Sequence, residues 1–423
     1  MPRTFLRGAR FVLDDVPADV ERIPVELRAE DGGLARGTLY RKQGTRPRVG
    51  ALMLHPRMDQ SQSYILLPLV AAGYAALGCG SRWVHNDSAA IQERIVLDVA
   101  AAVRVLHDHG CEQVVLVGNS GGGGILSLYQ AQARTEPARR LTTTAAGDPL
   151  DLGSYQLPPA AALVLLAAHP GEASRLGRWI DPSVTDEDDP LAVDRSLDMY
   201  DPDNGFRIPP EPSRYRPEFL ARYREGQRLR AARLDARARA LLADRRQAAA
   251  DAAERESAGD HGRRWSDAAR RAALPQHLLI HRVLACPEWL DTSIEPDDRD
   301  VTSFNSDPRP DLQNYEWSVA TFLQPEAFLS TWSPASSHAE VPAAVGAIPD
   351  PLLVVHYAGD VATRLSEAQE FVTASAADDK QLVLVRNADH WGYQITGPHR
   401  RGPRTAEGTD AVVAWMRERF PTT

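Results

Sequence analysis

The chain reads as an α/β protein: a mostly parallel, doubly wound sheet interrupted by a large, mainly helical insertion. Three observations predict this. Short apolar runs alternate with helical patterns over residues 20–170, the alternation stops over 171–345, and it resumes from 346 onward. Runs that stay apolar without alternating suit strands buried on both faces, and strand–helix alternation suits parallel strands joined by crossovers. The expected division is a first core segment, 1–170, an inserted helical lid, 171–345, and a second core segment, 346–423. A chain of 423 residues and 46.4 kDa is long enough for one large core carrying such an insertion.

Ile23, Val25 and Leu27 alternate with polar neighbours, Asp31-Gly32-Gly33 makes a turn, and 34–40 runs back, which predicts a β-hairpin. Residues 49–54 form a continuous apolar run ending in His55-Pro56, as a buried central strand requires, and 74–77 is a shorter run of the same kind. Ile91, Ile95, Val99, Ala102, Val103 and Leu106 recur at intervals of three and four, an amphipathic helix with Asp87 or Ser88 as its cap. Val114-Val115-Leu116-Val117 then meets Gly118-Asn119-Ser120-Gly121-Gly122, and Ile125, Leu126, Leu128 and Tyr129 follow at helical spacing. Residues 160–168 are a further apolar run, ending in His169-Pro170.

The insertion opens with an acidic, proline-rich piece, 181–212. Asp201-x-Asp203-x-Gly205 begins like a calcium loop, but Pro212 stands where the bidentate glutamate must be, so that reading is excluded. Residues 218–258 contain no proline and are rich in Ala, Arg, Leu and Glu, which predicts a helix of about 60 Å at 1.5 Å per residue. Leu234, Leu241 and Ala248 fall seven apart, a weak seam through which the lid would form a homodimer; a solvated helix lying across the lid is the alternative. Further helical pieces are expected around 276–286 and 311–332. Strands at 352–355 and 382–385 then flank a helix at 364–374, and Val412, Val413, Met416 and Phe420 mark a closing helix.

The chemistry centres on Gly-x-Ser-x-Gly between a strand and a helix. Such a turn holds the serine in a strained conformation, needs glycine two positions to either side, and puts the hydroxyl above a helix N-terminus that favours developing negative charge. A phosphate-binding loop is excluded because no Gly-Lys-Ser/Thr follows; the chain's two lysines are Lys42 and Lys380. The dinucleotide fingerprint fails too, since no acidic residue ends a second strand at the required distance. Serine needs a base and the base needs a carboxylate, all from loops at one sheet edge. His390, in Asn387-Ala388-Asp389-His390-Trp391-Gly392, follows the 382–385 strand closely, with His399 as a rival. Asp360, in Tyr357-Ala358-Gly359-Asp360, follows the 352–355 strand, with Asp389 and Glu172 as rivals. The Gly121 N–H, directly after the nucleophile, is the expected first oxyanion donor.

The chain order Ser120, Asp360, His390, the elbow and the sheet pattern together resemble the α/β-hydrolase superfamily over about 20–170 and 346–423. The middle segment matches only as a lid inserted before the strand that carries the acid. The resemblance implies a serine hydrolase: members are mainly esterases, lipases, lactonases, amidases and peptidases, with a few C–C bond hydrolases. Serine at the elbow argues against the dehalogenases and epoxide hydrolases of the same fold, which use aspartate. It implies a second oxyanion donor in the loop after 49–54. Where members often have His-Gly, this chain has His55-Pro56-Arg57-Met58; proline has no N–H, so Arg57 is the expected donor and Met58 the reserve.

Composition narrows the rest. A net charge of −9 argues against a general nucleic-acid binder. Cys79, Cys111 and Cys286 are scattered and odd in number, so a reducing cytoplasm is expected rather than a disulfide framework. Residues 1–20 carry Arg3, Arg7, Arg10, Asp14 and Asp15 and do not read as a secretory signal, and no segment has the roughly 20 apolar residues that span a bilayer. No ligand cluster suggests a metal or organic cofactor. Five of the eight tryptophans, Trp179, Trp265, Trp289, Trp317 and Trp332, lie in the insertion, where they would roof a pocket for a bulky, largely apolar small molecule. Met58, Tyr64, Trp83 and Trp391, from loops at the catalytic edge, are expected to line it. The expected reaction is cleavage of an ester, lactone or amide through an acyl-enzyme on Ser120. C–C bond hydrolysis, a small-peptide peptidase and a non-catalytic binding protein of the same fold are the alternatives.

Overall fold

The antiparallel start of the sheet follows from the alternation of its residues: β1 (Val20–Arg28) pairs with β2 (Leu34–Lys42) around a turn in which Gly32 has a φ of 85°. The computed structural model describes residues 16–257, 266–304, 307–397 and 400–422. β3 (Val49–His55), β4 (Ala75–Gly80), β5 (Gln113–Asn119) and β6 (Ala162–Leu166) follow, with α1 (Leu66–Ala71) and α2 (Gln92–Asp108) between them and α3 (Gly122–Arg134) directly after β5. The inserted segment contains α4 (Glu172–Trp179), α5 (Pro217–Ser257) and a two-residue pair, β7 (Leu278–Leu279) and β8 (Phe322–Leu323). β9 (Leu352–Tyr357) and β10 (Lys380–Val385) complete the sheet, and a hairpin of β11 (Tyr393–Gly397) and β12 (Arg400–Arg404) precedes the closing helix Glu407–Arg419.

The sheet order is β1-β2-β4-β3-β5-β6-β9-β10, antiparallel through β2–β4 and parallel from β4 to β10. β3, β6 and β9 are buried at every position, which is why their sequences do not alternate. Period-two geometry divides their side chains between two cores. Leu52, Leu54, Leu116 and Leu165 pack with Val99, Val103 and Ile125 of α2 and α3; Met53, Val115, Val117 and Val355 pack with Leu66, Leu69, Val412 and Met416 on the opposite face. The doubly wound reading holds. β10 differs from expectation, because as the edge strand it leaves five of its six residues, 380–384, half-buried or exposed.

Three local expectations change. Asp87 and Ser88 form a separate short turn, and α2 begins at Gln92. Its N-terminus is capped from the insertion instead: the Gln92 N–H donates to Ser330 Oγ at 2.8 Å, while the Ser330 hydroxyl donates to Glu93. The stretches 276–286 and 311–332 are not continuous helices. Pro275, Pro287 and Pro310 border them and Pro325 breaks the second; the chain here forms the β7–β8 pair, one-turn pieces at Pro287–Leu290 and Pro310–Gln313, and the wide turn Phe328–Trp332. The long helix is present as α5. The residues expected to form its seam face the chain itself: Leu234 is buried with Leu176, Ile180, Phe328 and Trp332, and Leu241 packs against the same cluster. Among the described residues no helix is long and apolar enough to cross a membrane.

Candidate active site

Parallel neighbours β3, β5, β6, β9 and β10 each end in a loop at the same carboxyl edge, and each loop contributes one group. Ser120 follows β5 with a φ of 54°, a left-handed conformation that a side-chain-bearing residue adopts only under constraint. Two hydrogen bonds hold it there: its own N–H donates to the Leu166 carbonyl of β6, and its carbonyl accepts from Gly123 N–H. The flanking glycines are required for close approach. A Cβ at Gly118 would lie 2.8 Å from Gly123 Cα, and one at Gly122 would lie 2.5 Å from the Leu54 carbonyl oxygen. The elbow inferred from the sequence is therefore the observed one.

His390 follows β10 and Asp360 follows β9. His390 Nδ1 and Asp360 Oδ2 are 2.6 Å apart. The aspartate is fixed by three further donors: Ala362 N–H and Thr363 N–H to Oδ1 at 2.6 and 3.3 Å, and the Thr363 hydroxyl to Oδ2 at 2.7 Å. Burial pushes its pKa upward, but the His390 ring and the Thr363 hydroxyl outweigh this and hold the carboxyl below its ordinary value. The acceptor carboxylate makes Nδ1 the protonated nitrogen and leaves Nε2 as the basic one. The rivals go elsewhere. Asp389 accepts from Trp391 N–H, Tyr393 N–H and Arg401, and Glu172 is held by Arg57 and Arg175. His399 lies outside the described residues.

The loop after β3 departs from expectation. The Arg57 N–H, expected to face an oxyanion, donates to His55 Nδ1 at 3.1 Å, and the Met58 N–H donates to the same nitrogen at 3.2 Å. Because Nδ1 accepts twice, the His55 proton sits on Nε2. That nitrogen is buried and has no partner among the described residues, and it lies 2.8 Å from where a Cβ of Gly121 would be. Burial, with Arg57 adding to it, lowers the His55 pKa well below the ordinary value, so the ring is neutral.

Beyond Gly121 is a buried ionic cluster. Glu172, at the start of α4, accepts from Arg57 Nε at 2.8 Å and pairs with Arg175 Nη2 at 2.8 Å; burial raises its pKa, but the two guanidinium groups prevail and keep it ionised. His169, ending the β6 loop, is buried with no hydrogen bond to either ring nitrogen among the described residues, its Nε2 lying 3.9 Å from Glu172 Oε2. Burial drives its pKa down to about 3, against the pull of Glu172. The tryptophans expected to roof an apolar pocket back this cluster instead. Arg175 stacks 4.7 Å from Trp179 and 5.6 Å from Trp332, and Arg57 lies 5.3 Å from Trp332. Trp289 is buried on the Val361 carbonyl, Trp317 is exposed, and Trp265 lies outside the described residues. Of the four expected lining residues, Trp391 meets His390 edge-on at 4.7 Å. Tyr64 pairs with the Tyr357 hydroxyl, Met58 is tied to His55, and Trp83 packs against the α2-side core beneath Arg82.

Strand order, the elbow after β5, and acid and imidazole after β9 and β10 decide the architecture. This is the α/β-hydrolase fold. Solved structures similar to it include Est1E from Butyrivibrio proteoclasticus, at 12% identity over 93% of this chain and 98% of that one, with a TM-score of 0.45. The esterase domain of a Rhodothermus marinus protein is similar at 12% identity over 94% and 98%, with a TM-score of 0.43. The hypothetical protein PA2218 from Pseudomonas aeruginosa is similar at 13% identity over 97% of each chain, with a TM-score of 0.47. No family model matches the chain, and no curated protein matches its sequence.

Within this hydrolase fold, the neutral imidazoles carry a stability consequence. His55 and His169 have folded pKa values below the ordinary 6.5, so below pH 6.5 the unfolded chain binds protons that the folded chain refuses. Stability is full above 6.5 and falls as the pH drops, for His169 down to about 3, at about 1.4 kcal/mol per pH unit for each ring. Urea midpoints measured from pH 7 to pH 4 should fall, and His169→Gln should make that fall shallower. An unchanged slope in the variant would show that His169 titrates normally.

Proposed function

We propose that the chain is a serine hydrolase that cleaves a carboxylic ester, lactone or amide bond through an acyl-enzyme on Ser120. The reading is carried by the His390–Asp360 hydrogen bond standing at the same sheet edge as a positive-φ serine between strand and helix. Ser120 Oγ attacks the carbonyl carbon and its proton passes to His390 Nε2. Asp360 keeps the ring in this tautomer and stabilises the imidazolium. The carbonyl π electrons move to oxygen. The Gly121 N–H and the His55 Nε2–H receive that oxyanion, His55 taking the place expected for the Arg57 N–H. Collapse expels the leaving group, which takes the proton from His390, and water activated by the same nitrogen releases the acid.

A fluorophosphonate probe tests the assignment. Peptide mapping should find the adduct on Ser120 of the intact protein, with none on the Ser120→Ala variant. Labelling of another serine, or none at native pH, would remove the nucleophile assignment.

A further inference from the structure

The loop that carries His390 leaves β10 through Asn387, whose φ of 56° is left-handed. A side-chain-bearing residue keeps that conformation only where its neighbours hold it. One holding contact is local, the Ile395 N–H donating to the Asn387 carbonyl. The other comes from the inserted segment. The Asn387 N–H donates to Asp298 Oδ2 at 2.7 Å, and Arg386 donates to Asp298 Oδ1 at 2.7 Å. Arg386 is exposed, so its ion pair contributes little; an N–H donating to an ionised carboxylate is the stronger tie.

Asp298 also reaches the loop that carries the acid. Its own N–H donates to the Ala358 carbonyl at 3.0 Å, two residues before Asp360. One residue of the insertion therefore bridges the two loops whose side chains meet in the His390–Asp360 hydrogen bond. Those loops also touch directly, through Ala358 N–H on the Val385 carbonyl and Gly359 N–H on the Ala388 carbonyl, both at 2.8 Å. These bonds stop at Ala388, short of the histidine. Beyond it, the turn of His390 is fixed by the Asp389 carboxylate, which accepts from the Trp391 and Tyr393 N–H groups and from Arg401 Nε. Arg401 is in turn held by the insertion, its Nη1 donating to Asp300 Oδ2 at 2.9 Å. Arg299, between the two aspartates, is buried and fastens this piece to the Glu288 and Glu295 carbonyls at 3.0 and 2.7 Å.

We infer that Asp298 and Asp300 are positioning residues for His390, through which the inserted segment sets the imidazole against Asp360 and Ser120. The inference rests on the hydrolase reading, and it gives the insertion a part in proton transfer. A base displaced by about 1 Å costs up to about 10²-fold in rate, and the loss falls on turnover.

The test is steady-state hydrolysis of 4-nitrophenyl acetate. Asp298→Ala should lower kcat by about 10–100-fold with little change in KM. Asp300→Ala should lower kcat in the same sense, a second variant in case the first folds poorly. Asp298→Asn should recover most of the rate, because its Oδ1 can still accept the Asn387 N–H and only the exposed pair with Arg386 is lost. Asp188→Asn, in an exposed pair with Arg237 elsewhere on the insertion, should keep the wild-type kcat. A purely structural role would lower thermal midpoints and leave kcat as it was. Unchanged kcat in a folded alanine variant, or a loss confined to KM, overturns the inference while the hydrolase reading stands. If the wild-type protein cleaves no ester, proton NMR decides separately. The Nδ1 proton of His390, sheltered by its bond to Asp360 and identified by its loss in His390→Gln, should be sharp in the wild type and in Asp298→Asn. It should be broadened by exchange in Asp298→Ala. Equal sharpness in all three, or no such resonance in the wild type, overturns the inference.

Discussion

Ser120→Ala and His390→Ala are each expected to lower kcat by about 10⁶-fold, and the double variant by no more than either alone. The two groups act as a unit: an alkoxide without a proton acceptor and an acceptor without a hydroxyl are equally useless, so their losses cannot add. Asp360→Asn should cost about 10⁴-fold, because an asparagine amide facing Nδ1 selects the wrong tautomer even when the ring stays in place. The residual rate in all three variants would come from binding and oxyanion stabilisation. Glu172→Gln should not reproduce the Asp360 loss, since Glu172 is bound to Arg57 and Arg175 and Asp360 is bound to His390. Steady-state kinetics on one activated ester checks all of this. Independent, additive losses at 120 and 390, or a Glu172 effect larger than the Asp360 effect, would dismantle the proposed triad.

What could be read from the chain beforehand was whatever a local pattern determines. β3, β5, β6 and β9 are buried on both faces, so their apolar runs mark them, and the elbow is visible because its glycines, strand and helix stand together in one short stretch, although Gly122 is required by the distant Leu54 carbonyl. Asp360 and His390, which the structure joins by a hydrogen bond, are legible because each closely follows a strand that can be recognised. The insertion was read poorly. Its short pieces are fixed by tertiary contacts such as Ser330 at the start of α2, and helical composition over 311–332 conceals the break at Pro325. Arg175 and Arg401 do not stand out, because arginine is common along the whole chain. β3 and β6 flank β5, and both of their apolar runs end in His-Pro, a repeated dipeptide on either side of the nucleophile.

The first of those histidines gives the second large prediction. His55→Asn should lower kcat by about 10²–10³-fold with a much smaller change in KM, because an oxyanion donor acts mainly on charge that develops in the transition state. Asparagine is the informative replacement. Its Oδ1 reaches the position of Nδ1 and can still accept from the Arg57 and Met58 N–H groups, so the loop after β3 keeps its anchor. What it lacks is a donor at the position of Nε2, the buried nitrogen beside Gly121. Glutamine can place an amide N–H near that position and should recover part of the rate. The alternative, in which His55 only braces the loop, predicts the reverse order, with asparagine active and glutamine impaired. Thermal midpoints of both variants, measured with the kinetics, separate a lost donor from a loosened loop. If His55→Asn kept its turnover with the elbow labelled as before, the oxyanion would have to be held by Gly121 and a donor elsewhere.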